Sequence, residues 1–259
     1  MVTGAASGIG LALAEELLES DAAKVVLADI NQANLTGHET RLKARYGDCV
    51  KGVLCDVTAE EDVQRLIAVA VDFFSVSFDL LFNNAGTGFS GRFEEHNNGD
   101  WKAAFDLNFY GALYGMRAVL PIMKKQGGGQ IINIISGITF MPMAYQSRYN
   151  AAKAALNGLS LALRSEYWDD NIKISSATPG LAAIAIFACE GAPTPEAAQS
   201  PHQAARRILK GVVNNDRIIF GGDEDVHFGK YGSNPDANKD NDMYLLRVER
   251  ERRAGKVAF

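Results

Sequence analysis

The stretch TGAASGIG at residues 3–10 is followed at once by LALAEELL, an apolar run with helical periodicity, at residues 11–18. Glycines let a backbone turn tightly and bring its N–H groups against a pyrophosphate, and the following helix adds its positive end. The run KVVLA at residues 24–28 then reads as a short buried parallel strand. It leads into Asp29, nineteen residues after Gly10 (29 − 10), where a dinucleotide-binding fold places the acid that binds the adenosine ribose.

The surroundings of Asp29 predict which dinucleotide binds. Its carboxylate would accept bonds from both ribose hydroxyls and would repel a phosphate at the 2′ position. Ser7 in the glycine-rich turn and Ile30 after the strand are not basic, so neither offers a counter-charge to that phosphate. We therefore predict NAD rather than NADP.

A second pattern lies far along the chain, in YNAAK at residues 149–153. Tyr149 and Lys153 are four residues apart and share one face of a helix, so the ammonium would lower the pKa of the phenol from about 10 towards the range of a general base. Of the 8 tyrosines, only Tyr149 has a lysine at this spacing. Ser136, thirteen residues upstream (149 − 136), would hold the oxygen of an alcohol or ketone beside the phenol. This trio predicts hydride transfer.

These patterns together resemble the short-chain dehydrogenase/reductase family, in its short single-domain branch, over nearly the whole chain. The resemblance rests on motifs in the family's order and spacing: Thr3 to Gly10, Asp29, Asp56-Val57, Asn83 to Gly86, Asn108, Ser136, Tyr149, Lys153 and Pro179-Gly180. It implies an α/β fold, a single-domain Rossmann-like doubly wound parallel sheet with helices on both faces.

The resemblance also implies residue roles. Asp56 and Val57 would contact the adenine, and residues 83–86 would line the adenosine side. Lys153 would bind the nicotinamide ribose, and Asn108 would fix a water that relays protons from Tyr149 through Lys153 to solvent. The expected catalytic residues are Asn108, Ser136, Tyr149 and Lys153, without a metal. The expected cofactor-binding residues are Gly4, Ser7, Gly8, Ile9, Gly10, Asp29, Ile30, Asp56, Val57, Asn84, Ala85, Gly86, Tyr149, Lys153, Pro179 and Gly180.

Two features depart from the family pattern. Only Met1 and Val2 precede Thr3, too few for an ordinary strand of about five or six residues. That truncated strand would lie at the sheet's centre, so we expect its neighbours either to leave a gap or to close on each other. After Pro179-Gly180 the family has a threonine that binds the nicotinamide carboxamide, whereas Ile184 stands there, which predicts weaker nicotinamide anchoring.

Apolar runs and helix-periodic stretches alternate along the chain, which predicts a parallel sheet with helices on both faces. The predicted strands are Lys24 to Ala28, Val50 to Cys55, Phe78 to Asn83, Gln130 to Ile135, Lys173 to Ala177 and Arg217 to Phe220. The predicted crossover helices include Glu61 to Phe74, Trp101 to Lys124 and Tyr149 to Glu166. We expect residues 1–259 to form one NAD-binding oxidoreductase domain, with a substrate lid near 181–200 and a polar, solvated C-terminal tail near 232–259.

Composition agrees with one enzyme domain. The 259 residues are 47% hydrophobic, enough for a large core. A net charge of −5, with no concentrated basic stretch before the last turn of the chain, argues against nucleic acid and acidic membranes as partners. The 3 cysteines have no metal-ligand spacing, and an odd count suits a reducing compartment. No signal peptide and no apolar run near ~18 residues is visible, so we expect a cytoplasmic protein.

The sequence thus predicts an NAD-dependent oxidoreductase that interconverts a hydroxyl and a carbonyl group. Apolar residues between Ser136 and Tyr149 and after Gly180 suggest an apolar secondary alcohol or ketone, although ordinary core packing explains them equally well. An epimerase or dehydratase with bound NAD would need a larger C-terminal domain than the residues after Phe220 supply. A non-catalytic NAD-binding regulator is the alternative from another class. We also expect a homodimer or homotetramer built on the Trp101 to Lys124 and Tyr149 to Glu166 helices.

Overall fold

The computed structural model describes residues 1–183 and 195–255, and within them the strands form one sheet. The strands are β1 (Val2–Thr3), β2 (Val25–Asp29), β3 (Val50–Leu54), β4 (Leu80–Asn83), β5 (Gly129–Ile134), β6 (Ile172–Thr178) and β7 (Ile218–Phe220). They pair in parallel in the order β3-β2-β1-β4-β5-β6-β7. The order reverses between β1 and β4, which confirms the predicted doubly wound topology.

Helices connect successive strands, and two more helices follow β7. They are α1 (Gly8–Glu19), α2 (Gln32–Tyr46), α3 (Glu60–Phe74), α4 (Asn98–Phe105), α5 (Gly111–Gln126), α6 (Ser147–Glu166), α7 (Pro201–Val213), α8 (Asp223–Tyr231) and α9 (Asn238–Arg253). A π-helical turn, Asp106–Tyr110, joins α4 to α5. Each of the six predicted strands is present with ends shifted by at most two residues. In the described residues no helix is both long and apolar enough to cross a bilayer.

The core has two layers, one on each face of the sheet. Side chains of α1, α2 and α7 form the first layer, and side chains of α3, α5 and α6 form the second. β2 shows why its sequence is apolar throughout: Val25 and Leu27 point into the first layer, whereas Val26 and Ala28 point into the second. A strand that is covered on both faces has no polar side, and this arrangement confirms helices on both faces.

The central strand β1 is as short as the sequence predicts, but the sheet neither collapses nor loses its centre. Val2 pairs with Leu27 on one side and with Phe82 on the other, and the Phe82 N–H donates to the Met1 carbonyl at 2.9 Å. Of the two expected outcomes, closure of β2 on β4 does not occur. Backbone hydrogen bonds at Met1 and Val2 connect the carboxyl-terminal halves of β2 and β4. Any gap in the sheet therefore lies between the amino-terminal halves of these two strands.

Candidate active site

The glycine-rich turn joins β1 to α1. Its glycines have no side chains that would keep a ligand away from the backbone N–H groups at the helix start. Gly4 and Gly8 have φ angles of 65° and 54°, a left-handed conformation that side chains disfavour. A Cβ at Gly10 would lie 2.1 Å from the Gly4 carbonyl oxygen, so only glycine fits. Ser7 is the N-cap of α1 in extended conformation, and Ile9 is buried behind the turn. The first turn of α1 carries no acidic residue, so its N–H groups suit a pyrophosphate.

Thr3 and Asn84 tie this turn to the end of β4. The Thr3 Oγ1 accepts bonds from the N–H groups of Asn84 (3.0 Å) and Ala85 (3.1 Å). The Asn84 Nδ2 donates to the carbonyls of Thr3 (2.9 Å) and Gly4 (3.2 Å). The predicted residues Gly4, Asn84 and Ala85 therefore meet. Sequence reasoning did not include Thr3 in the site, although its hydroxyl organises the junction.

Asp29 lies beside the glycine-rich turn at the end of β2. Its Oδ2 accepts from the Ala6 N–H and its Oδ1 from the Asn31 N–H, both at 2.9 Å. These bonds fix the carboxylate at the mouth of the turn, and the Ile30 side chain next to it is 67% exposed. The Asp29 carboxylate offers a hydrogen-bond acceptor, and the Ile30 side chain offers an apolar surface. Together they fit an unphosphorylated adenosine ribose.

Asp56 and Val57 follow β3, the strand beside β2. The Asp56 Oδ1 accepts from the backbone N–H of Thr58 at 2.9 Å and from its hydroxyl at 2.7 Å. Val57 is buried against the start of α5, where a Cβ at Gly111 would lie 3.0 Å from a Val57 methyl. The structure therefore places both residues at the same edge of the sheet as Asp29.

Lys153 is buried in α6, and only 3% of it is exposed. Its Nζ donates to the Ile134 carbonyl at the end of β5 (2.8 Å) and lies 5.8 Å from the centre of the Tyr149 ring. Burial lowers the pKa of this ammonium to about 8. The Tyr149 ring is half-buried on the same face of the helix, so the predicted pairing is present.

Asn108 lies in the π-helical turn, within the range Trp101 to Lys124 where we predicted a crossover helix. The wider turn lets the Asn108 Nδ2 donate to the carbonyls of Thr87 and Ala104, both at 3.2 Å. Single π-turns inside helices often mark functional sites. The chain is helical throughout the predicted range, and the sequence did not indicate the wider π turn inside it.

Asn108 and Lys153 converge on Gly86. The position of a Cβ on Gly86 would be 2.6 Å from the Asn108 Oδ1 and 3.2 Å from the Lys153 Nζ. The Asn108 Oδ1 is buried and accepts no bond. Because a buried acceptor without a partner is unfavourable, this oxygen suits a water or a ligand hydroxyl beside the ammonium.

Ser136 follows β5, two residues after the carbonyl that binds Lys153. It is the N-cap of a short 3₁₀ turn, Gly137–Thr139, and its carbonyl accepts from the Thr139 N–H at 3.0 Å. Ser136 is half-buried. The end of β5 therefore carries both Ser136 and the Ile134 carbonyl that accepts the hydrogen bond from Lys153.

The Pro179-Gly180 turn ends β6, and Gly180 has a φ of 72°. Two side chains that sequence reasoning missed hold this turn. The Gln199 Nε2 donates to the carbonyls of Pro179 (2.9 Å) and Gly221 (2.8 Å), and the Asp225 Oδ2 accepts from the Gly180 N–H (2.8 Å). Neither residue belongs to a recognisable motif. Ile184, where a threonine is expected, lies outside the described residues.

The loop between Ser136 and Tyr149 packs against α9. The Tyr145 hydroxyl donates to the Glu249 Oε1 at 2.8 Å, and the Arg252 guanidinium donates to the Ala144 carbonyl at 2.7 Å. The predicted solvated tail therefore contacts the loop. Ile138 and Met141 of this loop are buried, so they support the core, as the packing explanation expects.

The chain is similar to a known protein family and to several solved structures. A family model described as short chain dehydrogenase matches residues 1–189. An uncharacterized oxidoreductase of Staphylococcus aureus (strain USA300) is 36% identical over 209 residues, which cover 81% of this chain and 88% of that protein. A solved short chain dehydrogenase/reductase from Burkholderia phymatum in complex with NAD is 27% identical, with a TM-score of 0.79 and coverage of 89% and 90% of the two chains. The L-sorbose reductase from Gluconobacter frateurii complexed with NADPH and L-sorbose is 27% identical, with a TM-score of 0.76 and coverage of 85% and 92%.

Proposed function

Because the chain belongs to the short-chain dehydrogenase/reductase family, we propose that it is an NAD-dependent oxidoreductase. The proposed reaction interconverts a secondary alcohol and a ketone on an apolar small molecule. The observation that supports it most is the buried Lys153 ammonium, which lies beside the Tyr149 ring and next to the unpaired Asn108 Oδ1. Burying a charge costs free energy, and lysines whose pKa is strongly shifted by burial occur most often at functional sites.

The residues divide the work of proton transfer. Tyr149 takes the proton from the substrate hydroxyl, or returns it to the ketone oxygen, as general base or acid. Lys153 stabilises the tyrosinate that forms, and Ser136 donates a hydrogen bond to the substrate oxygen. Asn108 holds a water at its Oδ1, which passes the proton from Lys153 to solvent. A bound nicotinamide ring supplies or accepts the hydride.

The glycine-rich turn, Asp29 and the β4 end fit the dinucleotide. In this proposal the turn at residues 4–10 binds the pyrophosphate and Asp29 binds the adenosine ribose. Asp56, Val57 and residues 84–86 line the adenosine side, and Pro179 and Gly180 lie on the nicotinamide side. Because similar solved proteins hold either NAD or NADPH, the choice of NAD rests on Asp29.

We expect NAD(H) to bind at least about tenfold more tightly than NADP(H), a difference of ~1.4 kcal/mol. A 2′-phosphate would meet the Asp29 carboxylate, which is held in place by the Ala6 and Asn31 N–H groups, and like charges repel. Fluorescence titration with both reduced cofactors measures the ratio.

Asp29→Ala should narrow this ratio. Asp48→Ala, which removes an exposed carboxylate from another loop, is the matched control and should leave the ratio as it is in the wild type. Equal or tighter binding of NADPH by the wild type would exclude the assignment.

Steady-state NADH absorbance over a panel of secondary alcohols and ketones tests the proposed reaction. Turnover of apolar members supports it. NADH binding without turnover on any member would favour a non-catalytic NAD-binding regulator instead.

We further propose a homodimer or homotetramer built on the α4–α5 segment and α6. Ala154 and Gly158 lie on the exposed side of α6, and a Cβ on Gly158 would meet nothing within 4 Å. Small exposed residues one turn apart permit close approach of a second helix, and Tyr110 on the neighbouring segment is partly exposed.

Light scattering at micromolar concentration should give a multiple of the 28.0 kDa chain mass. Gly158→Arg should reduce that mass, because open space around Gly158 lets a single chain accept the side chain whereas a second chain would clash with it. A wild-type monomer mass would disprove the assembly.

A further inference from the structure

Asp225 lies in the first turn of α8, between two turns of the candidate site. It is 5% exposed, although its neighbours in sequence, Asp223 and Glu224, belong to the same acidic helix start. Acidic residues at a helix start ordinarily face solvent and interact with the helix dipole. The Asp225 side chain is buried instead, so we expect it to have a role other than an interaction with the helix dipole.

One oxygen of this carboxylate holds the turn after β6. The Asp225 Oδ2 accepts from the Gly180 N–H at 2.8 Å. A Cβ at Gly180 would lie 2.8 Å from the Gly222 Cα, so the turn is packed tightly against the strand end that precedes α8. The bond fixes the orientation of the Gly180 peptide.

The other oxygen contacts the turn after β5. A Cβ on Gly137 would lie 2.0 Å from the Asp225 Oδ1, so the carboxylate occupies the place of the side chain that Gly137 lacks. Gly137 is bonded directly to Ser136, the residue proposed to hold the substrate oxygen. Burial raises the pKa of Asp225 more than its hydrogen bonds lower it, which agrees with a carboxyl group enclosed by these turns.

We propose that Asp225 is a positioning residue, whose carboxylate sets the distance between the Gly180 turn on the nicotinamide side and the Ser136-Gly137 turn on the substrate side. The inference rests on the proposed function and adds a residue outside the recognised motifs. Asp225 does not touch the reacting atoms in this assignment. It acts by holding two backbone turns that belong to different strands.

Asp225→Asn is the direct test, because asparagine keeps the shape of the side chain. Its amide has only one acceptor oxygen, so either the Gly180 N–H loses its acceptor or the NH₂ group faces it. Asp223→Asn is the matched control: it removes the same charge in the same turn, but the Asp223 side chain is 94% exposed and pairs only with Arg207 at 3.3 Å among the described residues.

The readout compares NADH with ADP-ribose, which has the same adenosine and pyrophosphate groups but no nicotinamide. We expect Asp225→Asn to weaken NADH binding by about tenfold, the effect of one lost ordering hydrogen bond, and to leave ADP-ribose binding near the wild-type value. Its kcat should also fall at saturating NADH. Asp223→Asn should match the wild type in all three measurements.

Wild-type NADH affinity in Asp225→Asn, or an equal loss of NADH and ADP-ribose binding, would overturn the inference. The first result denies any role for the carboxylate, and the second indicates a general structural defect. If wild-type protein shows no turnover, the proposed function fails, but the comparison of NADH with ADP-ribose still decides the role of Asp225.

Gly137→Ala is a second variant for the case that Asp225→Asn does not fold. Its methyl group displaces the carboxylate from the other side while the charge and both acceptor oxygens remain. We expect the same selective loss of NADH affinity, and an unchanged ratio of NADH to ADP-ribose affinity in a folded Gly137→Ala protein would equally refute the proposal.

Discussion

Replacement of Tyr149 by Phe is expected to lower kcat by about 10²–10⁴-fold, the usual contribution of a general acid–base group, while NADH affinity stays near the wild-type value. The substitution removes only the hydroxyl that exchanges a proton with the substrate. The aromatic ring next to the Lys153 ammonium remains, so the buried charge keeps its neighbour.

Steady-state kinetics and NADH titration of the same preparation measure the two effects. Tyr167→Phe is the matched control, since this tyrosine follows the far end of α6 and lies outside the proposed site. Activity in Tyr149→Phe within a few-fold of the wild type would eliminate the proposed chemistry.

Replacement of Lys153 by Met is expected to abolish turnover and weaken NADH binding, yet to leave the protein without cofactor at least as stable at pH 7. The ammonium is assigned to both Tyr149 and the ribose, which explains the two losses. Burial holds its pKa at about 8, against about 10.4 for a free lysine, so the buried charge costs about 3 kcal/mol below pH 8. Methionine fills similar space without a charge and loses one bond to Ile134, worth about 1 kcal/mol.

We expect the free energy of unfolding to depend on pH because of the buried Lys153 charge. The folded pKa of Lys153 is depressed, so its favourable contribution is complete above the unfolded pKa near 10.4 and is lost as the pH falls to 8. Wild-type stability should therefore rise relative to Lys153→Met between pH 8 and pH 10. Denaturant unfolding at both ends of that range measures the difference, and exposed Lys125→Met is the control. A constant difference across the range would contradict the buried charge.

Much of the fold could be predicted because its signals are local. Buried parallel strands need apolar residues on both faces, so runs such as KVVLA at residues 24–28 stand out without any alignment. The glycine-rich turn could also be predicted, because the positive φ angles at Gly4 and Gly8 exclude most other residues. The spacing of Tyr149 and Lys153 likewise predicted that their side chains lie close together, because four residues on a helix correspond to about one turn.

Other features could not be predicted, because they depend on contacts between distant parts of the chain. Nothing in an acidic helix start indicates that Asp225 alone turns inward. The π-helical turn at Asn108 interrupts no apolar periodicity that the sequence shows, and one of the bonds made there by the Asn108 amide reaches Thr87, 21 positions away. The two-residue strand β1 lies between β2 and β4, where Val2 pairs with Phe82, eighty positions away (82 − 2).

The contact between Tyr145 and Glu249 joins residues 104 positions apart in the chain. Contacts of such long sequence separation form late, because a large loop must close first. The turn at residues 4–10, Asp29 and the β4 end are complete within the first third of the chain. These residues are proposed to bind the adenosine and pyrophosphate groups of NAD. They can therefore assemble on the ribosome well before α9 is synthesised and braces the loop before Tyr149.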